Sequence, residues 1–505
     1  MALKSPWRAA GSGAGLGLAA IFAVLPLAVA SIPGPPGASE ARAHGSGSAS
    51  AQGEWSAPFD LHVVGVHSTL LPGGKVLLFS YPGVNEHGSD TWTWNSATRV
   101  SSQVRTFLRR DVFCSGHSVL PDGSALVTGG TMWGTHRYAG AHETSFFDPL
   151  TSSWSRGPTM AFARWYPSNL TLPGGDVLIV SGTDTDEQPV AAVERYQVAT
   201  NVITTLPPSA DKVVSEYPRL HVLPNGKVLM AGQDAETFLF DPEAAQWTSA
   251  GTMSFGARFS GTSVLLPGLR KVLVLGGNQI DPEAPTLGTN PPTETAEILD
   301  VSEPAPHWRY TSPMHYARQH ANAVLLPDGT VLVVGGGQSG LYKEPVQAAE
   351  LFDPESETWT VMATESTPRE YHSTAILLPD GRVLSAGMDS GKWQRSGQIY
   401  SPPYLFKGPR PSILSAPSAI AYGSTFTLQT PDSTEIQKVV LLRAGSATHS
   451  VDFDQRAVEL TFSPGQDQLS ATSPASGAIA PPGWYMLFLV GAKGVPSVAS
   501  WIHVG

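Results

Sequence analysis

Leu326-Pro327-Asp328-Gly329-Thr330-Val331-Leu332-Val333-Val334-Gly335-Gly336 is a strand, a tight turn and a second strand in a single short run. Pro-Asp-Gly supplies the fixed φ and the left-handed residue a hairpin turn needs, and the β-branched run after it suits a buried strand. The same pattern recurs: LPGGKVLLF from Leu71, LPDGSALVTGG from Leu120, LPGGDVLIVSG from Leu172, LPNGKVLMAG from Leu223, LPGLRKVLVLGG from Leu266 and LPDGRVLSAG from Leu378. Successive copies are 49, 52, 51, 43, 60 and 52 residues apart. Many repeats close on an outer strand with Phe-Asp-Pro and a Trp, as at Phe147-Asp148-Pro149 with Trp154 and Phe352-Asp353-Pro354 with Trp359.

A period near fifty with a Gly pair after the second strand and a downstream Trp matches kelch blades. Seven units too flat to bury themselves singly close most simply into a seven-bladed β-propeller, in preference to an open solenoid. The expected fold is all-β, with the kelch-type propeller over 56–408. After Tyr404 the repeat stops at a junction marked by Pro402, Pro403, Pro409 and Pro411. Residues 409–505 carry strand-like runs such as Thr425–Leu428, Lys438–Leu442, Val458–Phe462 and Tyr485–Val490, which fit an immunoglobulin-like β-sandwich docked on the propeller.

Composition agrees. The chain has 505 residues with 51 Gly and 43 Pro, and only 14% are charged, which disfavours helical bundles. A formal charge of −11 without a basic block excludes nucleic acid as an expected partner. At the N-terminus, Lys4 and Arg8 precede an apolar run from Ala9 to Ala30 that ends in Ala28-Val29-Ala30. That is the form of a secretory signal at 1–30, cut after Ala30 or after Ala43, with 31–55 as a flexible lead-in to an exported monomer. An uncleaved run would instead associate the chain with the cell envelope.

The register selects the chemistry. Six positions before each motif Leu stand Gly65, Cys114, Tyr166, Tyr217, Ser260, His320 and His372. Equivalent positions in successive blades share a radius around the axis, so these residues form a ring near the start of the innermost strands. Tyr371 adjoins it, and since neighbours on a regular strand face opposite ways, the backbone must bend there for Tyr371 and His372 to reach one centre. His449 lies between two strand-like runs of the sandwich, where a long hairpin entering the channel would deliver it to the ring. Cys114, the sole cysteine, rules out internal disulfides. The remaining histidines His62, His67, His117, His136 and His142 read as solvated or packing residues.

At these motifs the chain resembles the galactose oxidase and glyoxal oxidase family of copper radical oxidases. The resemblance rests on VFCSGHSVLPDG around Cys114, FARWYPSNLTLPGG around Tyr166, REYHSTAILLPDGRV around Tyr371, AGSATHSVDFDQRAVEL around His449 and PPGWYMLFLVGAKGVPSVAS near the C-terminus. It spans roughly residues 55 to 505 and is nearer the glyoxal oxidase branch. It implies that Tyr166, His372 and His449 bind copper in one plane, and that Tyr371 is both axial ligand and catalytic base. It also implies a thioether joining Cys114 to the ring of Tyr166, which forms the radical cofactor. The implied partners are a small aldehyde or primary alcohol and dioxygen, the products including hydrogen peroxide.

The residue types suit that chemistry. Two imidazoles and two phenol oxygens fit Cu(II). A two-electron oxidation needs a second one-electron acceptor, which a sulfur-substituted tyrosyl radical supplies without nicotinamide or flavin. Tyr217 and His320 either line the substrate pocket or satisfy each other by hydrogen bonding. Two departures from the sugar oxidase pattern stand out. The sugar-binding sandwich expected before the propeller has no counterpart, and Asp184 takes the place of a Trp stacked on the radical, leaving Trp133, Trp165 or Trp393 to supply such a ring. The contrasting reading is a binding scaffold that keeps the fold without the redox centre, or a galactose oxidase-type sugar alcohol oxidase.

Overall fold

Residues 49–505, apart from 83–87, 106–110, 133–138, 280–289, 340–342 and 390–392, are described by a computed structural model. The expected signal, both cleavage points, Trp133 and His136 lie outside the described residues. None of the described helices is long and apolar enough to cross a membrane.

Each Leu-Pro motif forms the turn between the first and second strands of an antiparallel blade, and blades two to six are four-stranded sheets. In the second blade the strands are Gly116–Val119, Ala125–Thr128, Thr144–Asp148 and Ser153–Arg156. Phe147 and Trp154 thus lie on the third and fourth strands, directly paired, rather than together on one outer strand. Six of the seven inner strands are buried along their whole length, as at His67–Leu70, Ser168–Thr171 and Asn322–Leu325, and in Leu220–Val222 only His221 is half-buried.

Blade seven is built from both ends of the propeller. Ser373–Leu377, Val383–Gly387 and Ser396–Ser401 supply its inner three strands, and Glu54–Trp55 and Phe59–Asp60 pair with the last of these. Residues 49–55, expected within a flexible lead-in, therefore form a short helix and a closing strand. The physical reason is the unpaired edge of Ser396–Ser401, which a returning strand covers.

The C-terminal region has a five-stranded sheet containing Ile436–Arg443 and Gly483–Gly491, and a three-stranded sheet containing Thr425–Gln429. It rests on the motif turns: His503 Nε2 lies 3.1 Å from Pro121 O, and Lys438 Nζ donates to Asp328 O at 3.4 Å. From this side a hairpin of Ser446–Thr448 and Val451–Asp452 runs into the channel. Its first strand pairs antiparallel with His67–Leu70, making blade one a six-stranded sheet. Side chains at its base meet other inner strands: Asp454 accepts from Val119 N, Gln455 from Leu325 N, and Arg456 donates to Val222 O. Those inner edges would otherwise leave backbone groups unsatisfied in a closed space.

Candidate metal centre

The ring positions share an unusual backbone. Cys114, Tyr166, Tyr217, Ser260, His320 and His372 have φ of 63°, 62°, 47°, 57°, 58° and 63°. A left-handed conformation costs a non-glycine residue about 1–2 kcal/mol, and here six blades adopt it at one register position. This is the bend that lets Tyr371 and His372, adjacent in sequence, reach one centre. The turns are stitched from blade to blade: Tyr166 N donates to Cys114 O at 2.8 Å, Tyr217 N to Tyr166 O at 2.9 Å and His320 N to Ser260 O at 2.8 Å.

A recurring buried ion pair braces the approach to the ring. Arg164, Arg258, Arg318 and Arg369 bond Glu194, Glu297, Glu350 and Glu365 at 2.9, 2.7, 2.5 and 3.0 Å. Three of the carboxylates also accept backbone N–H groups, from Ala161, Ser254 and His315. The sequence signal was an Arg two residues before Tyr166, Ser260 and His320, and three before His372. Its partners fall at irregular distances along the chain, so the pattern was not read.

His449 sits at the hairpin tip. With φ of 43° and 65°, His449 and Ser450 form the two-residue connection between Thr448 and Val451, as in a type I′ turn. The channel thereby receives an imidazole from the far side of the molecule. His449 lies 4.6 Å from His372 and 4.8 Å from Tyr166, ring centre to ring centre, both edge-on. The Tyr166 and Tyr371 hydroxyls are hydrogen-bonded to each other. Cys114 Sγ is 3.9 Å from His449 Nε2 and packs in one cluster with Trp165, Tyr166 and Tyr217. The five residues singled out for metal and thioether are thus gathered at one place.

The two imidazoles present lone pairs. His372 Nδ1 is 2.6 Å from Asp389 Oδ2, which fixes the ring proton on Nδ1. Its Nε2 is buried with no hydrogen-bond partner. Thr448 Oγ1 donates its only proton to Val66 O at 2.8 Å, so at 2.6 Å it accepts from His449 Nδ1–H. His449 Nε2 is then the acceptor, facing Cys114 Sγ, and burial together with His372, His67, His320 and Arg219 holds this ring well below the usual histidine range. Burial, then Cys114, Tyr371 and Tyr217, pushes the Tyr166 phenol up. Cys114 Sγ and one nitrogen from each of His372 and His449 lie within 4.8 Å of one another. A buried His372 Nε2 without a partner among the described residues, a His449 Nε2 lone pair facing the Cys114 thiol, and two touching phenols fit a bound Cu(II), whose charge would compensate buried phenolates.

The remaining candidates fall around this centre. Tyr217 donates to Ser115 O at 3.0 Å and its ring lies edge-on to Tyr166 at 4.6 Å. His320 lies edge-on to Tyr371 at 4.9 Å, with burial lowering its pKa to about 3. Tyr217 therefore bonds the backbone rather than His320. Trp165 is edge-on to Tyr166 at 3.8 Å, whereas Trp393 contacts Tyr81. Asp184 caps a turn by accepting from Asp186 N and Gln188 N. His67 and His117, expected as solvated or packing residues, are fully buried beneath the centre. Sequence reasoning also missed Asp389 and Thr448, which orient the imidazoles of His372 and His449.

Comparison with known proteins agrees with this arrangement. Residues 86–401 match the family described as glyoxal oxidase N-terminus, and 410–504 the galactose oxidase-like early set domain. Galactose oxidase of Gibberella zeae is 30% identical over 495 residues, covering 90% of this chain and 70% of its own length. Aldehyde oxidase GLOX of Vitis pseudoreticulata is 30% identical over 440 residues, covering 78% and 82%. A solved structure described as a novel fungal alcohol oxidase of the AA5 family, in complex with copper, superposes with a TM-score of 0.78 at 28% identity, covering 90% of this chain and 99% of that one. The chain is an oxidoreductase belonging to the galactose oxidase and glyoxal oxidase family of copper radical oxidases.

Proposed function

We propose that this protein oxidises small aldehydes or primary alcohols by two electrons and passes them to dioxygen, giving hydrogen peroxide, with a Cys114–Tyr166 thioether as its radical cofactor. The observation that carries the reading is the convergence of Cys114, Tyr166, Tyr371, His372 and His449, from three blades and the sandwich hairpin, in one buried cluster. Tyr166, Tyr371, His372 and His449 would hold copper, which would supply one of the two one-electron acceptors. Tyr166, its phenol conjugated to the Cys114 sulfur, holds the other.

The two touching hydroxyls mark where a substrate oxygen enters, because it must displace their mutual hydrogen bond. Tyr371 Oη accepts the hydroxyl proton of an alcohol or aldehyde hydrate, and Tyr166 Oη receives the hydrogen leaving carbon. His372 and His449 are held in place by their Nδ1 contacts with Asp389 and Thr448. Burial of Cys114 at 0% exposure keeps bulk water from the sulfur side of the radical. Small carbonyl and alcohol substrates are favoured over sugars on the match of residues 86–401 to the glyoxal oxidase family. Export follows from the N-terminal pattern of Lys4, Arg8 and Ala28-Val29-Ala30.

The test is a panel of aldehydes, primary alcohols and galactose offered to copper-loaded, oxidant-activated protein, with oxygen uptake and peroxide both measured. Peroxide from glyoxal-type aldehydes or short alcohols is the expected result. No oxygen uptake on any substrate, with no linked Cys114–Tyr166 peptide, returns the protein to a binding scaffold. A galactose preference selects the sugar oxidase alternative.

A further inference from the structure

His67 occupies a singular place beneath the centre. It begins the innermost strand of blade one, two residues after the ring position Gly65, and pairs with Phe79 on one side and Thr448 of the hairpin on the other. It is 0% exposed. Its ring lies flat on Phe79 at 4.4 Å and 5°, and edge-on to His117 at 5.2 Å. These contacts fix the plane of the imidazole.

Its Nε2 accepts the backbone N–H of Cys114 at 3.0 Å. Tyr166, Tyr217 and His320 satisfy the same N–H with the carbonyl of the preceding ring residue, and Ser260 does so with Gln233 Oε1. For Cys114 the preceding ring residue is Gly65, whose carbonyl accepts from Thr374. The residue that carries the sulfur is thus anchored by an imidazole in place of the blade-to-blade carbonyl.

That anchor comes at a cost in stability. Accepting at Nε2 places the ring proton on Nδ1, which is buried without a partner among the described residues, and an orphaned buried donor is destabilising. An apolar ring would pack on Phe79 without that cost, so stability alone does not account for the imidazole. What only the imidazole supplies is the acceptor for Cys114, which holds φ of 63° in a residue without glycine's freedom.

We propose that His67 is a positioning residue for cofactor formation: it clamps Cys114 in the left-handed turn that aims Sγ at the Tyr166 ring. The inference rests on the thioether named under the proposed function. In forming it, the Cys114 S–H and one Tyr166 ring C–H adjacent to the phenol carbon break and a C–S bond forms. Two protons and two electrons pass to dioxygen, which becomes hydrogen peroxide. Sulfur reaches the ring carbon only from a fixed backbone, so the rate of linking depends on the Nε2 acceptor.

The experiment compares wild type, His67→Phe and His67→Gln as full-length, copper-loaded proteins in air. Linking is followed as the loss of two hydrogens in intact mass and by the appearance of a joined Cys114–Tyr166 peptide, with copper content and melting temperature measured alongside. His67→Phe fills the space without an acceptor and is expected to link about tenfold more slowly, the worth of one buried hydrogen bond. His67→Gln, whose Oε1 can accept the same N–H, is expected to restore the rate. If His67→Phe links as fast as wild type, or His67→Gln is as slow as His67→Phe, the positioning role is overturned while the oxidase reading stands. A wild-type protein that never links overturns the thioether reading and this inference with it.

Discussion

Asp389 Oδ2 lies 2.6 Å from Nδ1 of His372, on the opposite side of the imidazole from the buried, partnerless Nε2. The carboxylate fixes the tautomer and orients the ring, so that Nε2 faces the proposed copper site. Asp389→Ala should weaken copper binding about 10–100-fold with little change in melting temperature. A competition titration with a chelator of known affinity measures it, and unchanged affinity would remove Asp389 from the centre.

The roles proposed for Tyr371 and Tyr166 differ although their hydroxyls touch. Tyr371→Phe removes the proposed proton acceptor and should lower kcat by about 10²–10⁴-fold, leaving the Cys114–Tyr166 link intact. Tyr166→Phe and Cys114→Ser should abolish both the link and peroxide formation. Peptide mapping beside a peroxide assay separates the two patterns, and equal loss of the link in all three variants would contradict the division of roles.

Glu350 neutralises Arg318 where neither side chain is exposed, and also accepts the His315 N–H. Glu350→Ala strands a buried guanidinium and should cost about 3–5 kcal/mol of stability. Glu355→Ala, on the surface of the same blade, should stay within about 0.5 kcal/mol of wild type. Urea unfolding of both variants checks the contrast.

His117 gives a pH dependence with a defined sign. Burial lowers its pKa from 6.5 to about 3, whereas the unfolded chain takes up the proton near the ordinary value. Its neutral form contributes fully above about pH 6.5, and that contribution is lost as pH falls towards 3, reaching about 2 kcal/mol at pH 5. The stability gap between wild type and His117→Gln should therefore shrink by about that amount between pH 7.5 and pH 5. A gap constant across that range would show that His117 does not titrate as described.

The seven motif turns were legible because a Pro-Gly turn and its flanking strands are specified locally, and the fifty-residue period carried that local signal around the whole propeller. The register then exposed Cys114, Tyr166 and His372, since equivalent positions in a repeat share a radius. Three things were not legible. The return of Glu54–Trp55 to Ser396–Ser401 joins residues more than three hundred apart, with no motif at either end. The Arg–Glu braces pair a residue in register with a carboxylate out of register. His67 and His117 carried nothing in sequence to separate a buried imidazole from a solvated one.

By itself the sequence determined the blades, the ring and the identity of the residues that reach it, because turn chemistry and period act through near neighbours. Only the tertiary structure decided how those residues are held: the left-handed backbone at six ring positions, the hairpin that brings His449 through the channel, and the Asp389, Thr448 and His67 contacts that orient the imidazoles and the cysteine. Each of those depends on groups distant in the chain meeting in a space closed to water, where a hydrogen bond must be satisfied from whatever side chain packing brings near.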